Sequence, residues 1–257
     1  MKKVILILFF LPLFTIAQQK TYVPDDNFEN HLESNGMGDG IPSNDSVYTS
    51  LISGMINLNC QSSFISDMTG IEDFTSLENL ACGYNTITDT LDLTNNINLT
   101  HLHAYGNQLT YIDISNCLDL VYFNIFQNNI MEINVTQNSQ LVYLSCHENQ
   151  LTSLDVSQNP LLELLLCYKN NIQKLDVRFN LLLRSFWCQV NNLNEIWLGN
   201  NTVLYNFCAS YNNLTTLTVP NSPNLNYFIV NDNNLEELII APNTYFNYLF
   251  CENNQLD

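Results

Sequence analysis

Apolar positions recur along this chain at a fixed interval. Segment 141–161, LVYLSCHENQLTSLDVSQNPL, is followed by 162–182, LELLLCYKNNIQKLDVRFNLL, and the two align in their leucines, one cysteine, one asparagine and a Leu-Asp-Val triplet, a period of 21 residues. The frame extends to units starting at Leu77, Leu99, Leu120, Leu141, Leu162, Leu183, Leu204, Leu225 and Phe246, with a degenerate first unit near Met55. Only the units at Met55 and Leu77 run to 22 residues. The fourth position of each unit is Leu58, Leu80, Leu102, Phe123, Leu144, Leu165, Phe186, Phe207, Phe228 and Leu249, and it never carries a charge.

Alternation around that position predicts a short strand, with positions four and six on one side and three, five and seven on the other. A lone strand of this kind is unstable. Stacked coils pair the strands into one long parallel sheet, enclose positions four, six, eleven, fourteen and sixteen, and leave the odd strand positions on an open face. The ninth position is Asn85, Asn107, Asn128, Asn149, Asn170, Asn191, Asn212, Asn233 and Asn254. Where the chain leaves a strand, its N–H and C=O groups lose their ladder partners, and a carboxamide serves both kinds. These asparagines are therefore read as an internal ladder and not as ligand contacts.

The unit L-x-x-L-x-C-x-x-N-x-L resembles the leucine-rich repeat family. The Leu-Asp-Val-Ser segment after it looks like the short-repeat form of secreted Bacteroidota surface proteins, and residues 60–90, containing ISDMTGIEDFTSLENL, resemble the repeats of bacterial internalins. The resemblance implies a mainly β repeat solenoid, a right-handed coil with one long parallel sheet and short irregular or extended convex segments. It also implies a recognition scaffold whose partner is set by the exposed strand positions.

Outside the repeats, MKKVILILFFLPLFTIAQQ opens with two lysines and an apolar run and reads as a secretory signal peptide, residues 1–17. It predicts a secreted or extracellular surface protein, with no membrane insertion after cleavage. Residues 18–54 are read as an N-terminal cap: Pro24, Asp25 and Asp26 start a helix, Phe28 and Leu32 share its inner face, and Gly36 to Gly40 end it. Asp39, Asn44 and Asp45 form an acidic run without a calcium-loop spacing. The solenoid is assigned to 55–257, about ten units; the last stops halfway, as expected of a piece of a longer protein.

Composition narrows the partners. Acidic residues number 25 against 7 Lys plus Arg, and with Lys2 and Lys3 in the leader the excess rises to 20, a surface that repels polyanions. Nucleic acid is accordingly not expected as a partner. Eight cysteines in an exported chain suggest disulfides. The frame argues otherwise, because Cys60, Cys82, Cys146, Cys167, Cys188 and Cys251 hold the sixth position, where Ala104, Ile125, Ala209 and Val230 substitute for them. They are read as buried free thiols. Cys117 replaces a late-repeat asparagine, and Cys208, at a fifth position, is expected to face outward as the one reactive thiol.

His101 and His103 share a strand face with His147 two coils on, but lack a carboxylate or thiolate to complete a zinc site, so neither metal nor cofactor is predicted. No nucleophile elbow or H-E-x-x-H motif occurs, and the chain is read as non-enzymatic. What remains is the open face itself. His101, His103, Tyr105, Tyr122, Phe126, Tyr143, His147, Tyr168, Trp187, Tyr227 and Phe250 form an aromatic strip expected to contact a protein partner. Carbohydrate binding by the same rings, a structural spacer in a longer surface protein, and rings that merely stack along the sheet are the alternatives.

Overall fold

A computed structural model describes residues 18–242 and 244–256; the leader predicted at 1–17 lies outside the described residues. Each unit forms a three-residue strand centred on its fourth position, from Asn57–Asn59 through Leu164–Leu166 to Tyr248–Phe250. The ten strands build one parallel sheet in chain order. Register follows the frame: Leu58 pairs with Leu80, Leu102 with Phe123, Leu165 with Phe186 and Phe228 with Leu249. The convex side is mostly irregular, with three short parallel pairs: Thr88–Asp92 with Gln108–Asp113, Lys174–Asp176 with Glu195–Trp197, and Thr216–Val219 with Glu237–Ile240.

The core lies where the pattern placed it. Fourth-position side chains from Leu58 to Phe228 are buried, and Phe186, Phe207 and Phe228 stack at 5.5 and 5.4 Å. Each such burial contributes about 1.5–3 kcal/mol, so a charge at Leu165 would open the stack. At the last coil no further coil covers the column within the described residues, and Leu249 is 45% exposed.

Strands stay short because the chain turns at the eighth position, and there the backbone is left-handed in coil after coil. Tyr84, Gln127, Glu148, Lys169, Val190, Tyr211, Asp232 and Asn253 have φ between 52° and 57°, and Gly106 has 63°. A glycine is needed at only one of these: a Cβ on Gly106 would lie 2.6 Å from the ring of Tyr84.

Two asparagine columns brace the turns. In the ninth-position column, Asn128 Nδ2 donates to Ala104 O and Ile125 O, while its Oδ1 accepts from Leu109 N at 3.0 Å. This is the predicted ladder, each carboxamide tying its own coil to the previous one. A second column, Asn96, Asn138, Asn159, Asn180 and Asn201, runs along the convex turn; Asn159 Nδ2 donates to Val135 O and Asn138 O. Its Oδ1 atoms are buried without a hydrogen-bond partner among the described residues. Cys117 continues this column by directing its thiol at Leu93 O and Asn96 O, and Ser222 donates to Asn201 O.

The N-terminal cap contains the expected helix, α1, Asp26–Ser34. Asp25 caps it through Phe28 N and also accepts from Ser66 N and Oγ and from Asp67 N, fastening the cap to the first coil. Burial pushes the Asp25 carboxyl up, but these hydrogen bonds outweigh it and hold the pKa below the usual range. Phe28 and Leu32 are buried, with Phe28 stacked 6.3 Å from Phe74. Of the acidic run, Asp39 and Asn44 come together and Asp45 turns away. Asp39 pairs with Lys20 and accepts from Asn44 and Ile41, which lowers its pKa to about 2, whereas Asp45 lies beside Asp26 and Glu29. Glu29 accepts the backbone N–H groups of Asn44 and Asp45.

Candidate binding face

Each coil presents three side chains on the open face, two from the strand and one just after it, and stacking aligns them in three columns at the third, fifth and seventh positions. All eleven residues of the predicted strip stand on this face, but the structure distributes them unequally. In the third column Tyr122 and Tyr143 stack at 4.1 Å with an 11° interplanar angle, and His101 lies 6.0 Å from Tyr122. In the seventh column Tyr105, Phe126, His147 and Tyr168 form one continuous stack at 4.7, 4.6 and 4.2 Å. His103, from the fifth column, tilts against Tyr122 at 4.6 Å. Parallel in-register strands repeat at ~4.8 Å, which is also a favourable ring spacing, so identical positions stack without adjusting the backbone.

Stacking corrects the reading of His147. It was expected on the open face, yet it is 9% exposed, because Phe126 covers one side of the imidazole and Tyr168 the other. Ser145 Oγ lies 3.0 Å from His147 Nδ1, and Ser145 is itself buried. Burial lowers the His147 pKa to about 4, so the ring is neutral at neutral pH and a weak base. The Ser–His contact is thus a packing contact. Burial also lowers the pKa of His103, with His101 adding to the effect. It raises the hydroxyls of Tyr105 and Tyr168, and pushes Tyr122 up to about 12 with help from the hydrogen bond to Tyr143. The ladder is uncharged at these groups.

The remaining strip residues are freer. Trp187, Tyr227 and Phe250 are 40, 40 and 42% exposed, about as open as any ring on the face. Tyr227 stacks on Tyr248 at 4.6 Å. Between them the third and seventh columns lose their rings, at Ser185, Asn206, Gln189 and Ser210. Cys208 also departs from expectation. It does lie on the open side, but Trp187, Ile229 and Ser210 around it leave it 7% exposed, while Cys251 in the last coil is half-buried and more accessible. The other cysteines are buried free thiols as expected; burial pushes Cys146 up to about 12 and Cys167 and Cys188 well above the ordinary range.

Sequence reasoning missed two features of the site. The break in the ladder was visible as Ser185, Asn206 and Ser210 in register, but a list of aromatic residues hides it. An edge cleft of about 630 Å³ beside the strands, lined by Tyr205, Tyr245, Arg184, Asn224, Asn226 and Asn247, draws on positions outside the three columns.

Comparison with known proteins places these coils among relatives. No family model matches the chain. Internalin J of Listeria monocytogenes serotype 4b is 39% identical over 75 residues, 29% of this chain and 8% of that protein. The solved functional domain of internalin J from Listeria monocytogenes, described as including a cysteine ladder, superposes with a TM-score of 0.83 at 34% identity, covering 93% of this chain and 54% of that one. The chain therefore spans about half of that domain and a small part of the whole relative. A plant peptide hormone receptor, RGFR1, solved in complex with RGF2, shares the fold at a TM-score of 0.54 and 22% identity, over 65% of this chain and 30% of the receptor.

Proposed function

We propose that this chain, a leucine-rich repeat protein with internalin-like coils, is a secreted or cell-surface module that binds a protein partner through its open strand face. The observation that carries the reading is the exposure of Trp187, Tyr227 and Phe250 on one parallel sheet whose strands pair in register. Large amphipathic rings held in place by a scaffold bury much area at little entropic cost, which is how interface hot spots act. The reading is non-enzymatic, and it fits the internalin-like relatives and the receptor captured with its hormone. Among the described residues no helix is long and apolar enough to cross a membrane.

Probing an array of extracellular proteins with the wild-type chain and with a Trp187→Ala, Tyr227→Ala, Phe250→Ala triple variant tests this. Binders of the wild type should be lost by the triple variant and kept by Phe179→Ala, a change on the convex side. An identical set of binders for all three proteins would overturn the proposal.

A second reading, glycan binding, is favoured by the edge cleft and not by the ladder. Sugars stack on free ring faces, and Tyr122, Phe126 and His147 offer theirs to one another. Tyr205 and Tyr245, 48 and 70% exposed beside three asparagines, are better placed. A glycan-array signal lost on Tyr205→Ala and Tyr245→Ala but kept by the face variant would support it.

A further inference from the structure

The gap in the ring ladder forms a notch. Along the fifth column the side chains are Leu166, Trp187, Cys208, Ile229 and Phe250, so a small thiol stands between two bulky groups. Trp187, Cys208 and Ile229, with Asn206, Phe207 and Tyr227, line a cavity of about 340 Å³. Trp187 and Ile229 are two strands apart, about 9.6 Å at the ordinary spacing. That distance admits one planar or branched side chain at the separation the neighbouring rings already use, 4.1–4.7 Å.

Two of the polar groups at the notch are already engaged. Asn206 Nδ2 donates to Ser185 Oγ at 3.1 Å, and the Cys208 thiol lies 3.5 Å from Ser210 Oγ. A wall built mostly of Trp187, Phe207, Cys208, Tyr227 and Ile229 suits an apolar side chain better than a polar ligand.

Charge defines what carries that side chain. All five described cations are ion-paired: Lys20 with Asp39, Lys169 with Glu148, Lys174 with Glu195, Arg178 with Asp176 and Arg184 with Glu163. The surface left over is acidic. On the C-terminal side of the notch stand Asp232, which receives hydrogen bonds from Asn231 and Asn253 but no cation, and the exposed Glu252. Long-range attraction above the notch therefore favours positive charge.

We propose that the notch receives one aromatic or large aliphatic side chain from a cationic protein segment, whose Lys or Arg residues lie toward Asp232 and Glu252. The proposal rests on the reading that the open face binds protein, and it names the subsite and the chemistry of the partner.

Short synthetic peptides with a central Trp, Leu or Ser, flanked on both sides by Lys or by Glu, test it by fluorescence anisotropy on the whole chain. Lys-flanked Trp and Leu peptides should saturate, and the Ser-centred or Glu-flanked peptides should bind at least about tenfold more weakly. Cys208→Leu and Cys208→Trp fill the notch and should each lose about tenfold, with circular dichroism showing which of the two keeps the fold. Asp232→Asn combined with Glu252→Gln should lose several-fold and flatten the salt dependence. In the wild-type protein, bound peptide should slow alkylation of Cys208 by iodoacetamide, read by mass spectrometry. Failure of every peptide to saturate up to roughly millimolar concentration, or equal binding by Lys-flanked and Glu-flanked peptides, would overturn the proposal. Binding that survives Cys208→Leu but is lost in Tyr122→Ala with Tyr143→Ala would overturn the notch while leaving the open face as the binding surface.

Discussion

Two halves of the same face use aromatic residues in opposite ways. From His101 to Tyr168 the rings cover one another, and the imidazole of His147 is buried within their stack. From Ser185 to Phe250 the columns are interrupted, and Trp187, Tyr227 and Phe250 keep open surface around the notch lined by Cys208. Both halves carry aromatic residues at face positions, the first more densely. What separates them is how many successive coils repeat the ring: His147, covered on both sides, becomes internal packing, whereas Trp187, between Leu166 and Cys208, and Tyr227, covered by Tyr248 alone, keep open surface. The first half is thereby a stabilising device, and the second is the better candidate for contact.

Four measurements test this contrast. The largest effect is expected at Phe126→Ala, which removes two stacking partners at once. It should cost about 2–3 kcal/mol in denaturant unfolding and leave partner binding unchanged, and a loss of binding without a loss of stability would reverse the assignment of the halves.

Next comes the pH dependence that the closed half imposes. His147 titrates near its ordinary value of 6.5 when unfolded and at about 4 when folded. Above the upper value neither state is protonated and stability is full; as pH falls from 6.5 to 4 the unfolded chain gains the proton first, so stability falls, then levels off. Melting temperatures near about pH 7 and about pH 4.5 should differ less in His147→Phe than in the wild type. An unchanged difference would mean that the imidazole is not held between the rings.

Trp187→Ala should act on the open half alone. It is expected to weaken binding about tenfold, or about 1.4 kcal/mol, while shifting stability by less than about 0.5 kcal/mol. A larger stability loss would make Trp187 part of the packing.

The smallest effect concerns the turn behind each half. The closed half carries Gly106 at a left-handed position where the open half carries Val190 at φ 57°. Val190→Gly should raise stability by about 0.5–1 kcal/mol, because a β-branched residue is strained there. Gly106→Val should destabilise, both through φ and through the ring of Tyr84. Failure of Val190→Gly to raise the unfolding midpoint would argue against strain at this turn.

Much of the fold was legible. A residue type that must be apolar in every coil, as at Leu144, Leu165 and Phe186, marks the interior without any structure, and an asparagine that persists at the ninth position marks a group needed both as donor and as acceptor. The late column shows how much such persistence says. There the carboxamide is used as a donor, so Cys117 and Ser222 can take its place, whereas the ninth position, where Oδ1 also accepts, stays asparagine in all nine units from Leu77 onward. The site was less legible. Facing direction followed from alternation, but exposure did not, which is why His147 and Cys208 were both placed on the correct side and both proved buried.

The sequence by itself therefore determined the period, the inward set and the face on which each strand side chain stands, since these depend on local alternation repeated in register. Only the tertiary structure decided which of those side chains is available. Availability is set by neighbours one coil away, 21 residues distant in the chain but about 4.8 Å distant in space. It also decided the left-handed turn at the eighth position, which is occupied by Tyr, Gln, Glu, Lys, Asp and Asn and, at the cost of strain, by Val. The stacked hydrogen bonds on either side impose that backbone conformation, and no single residue type announces it.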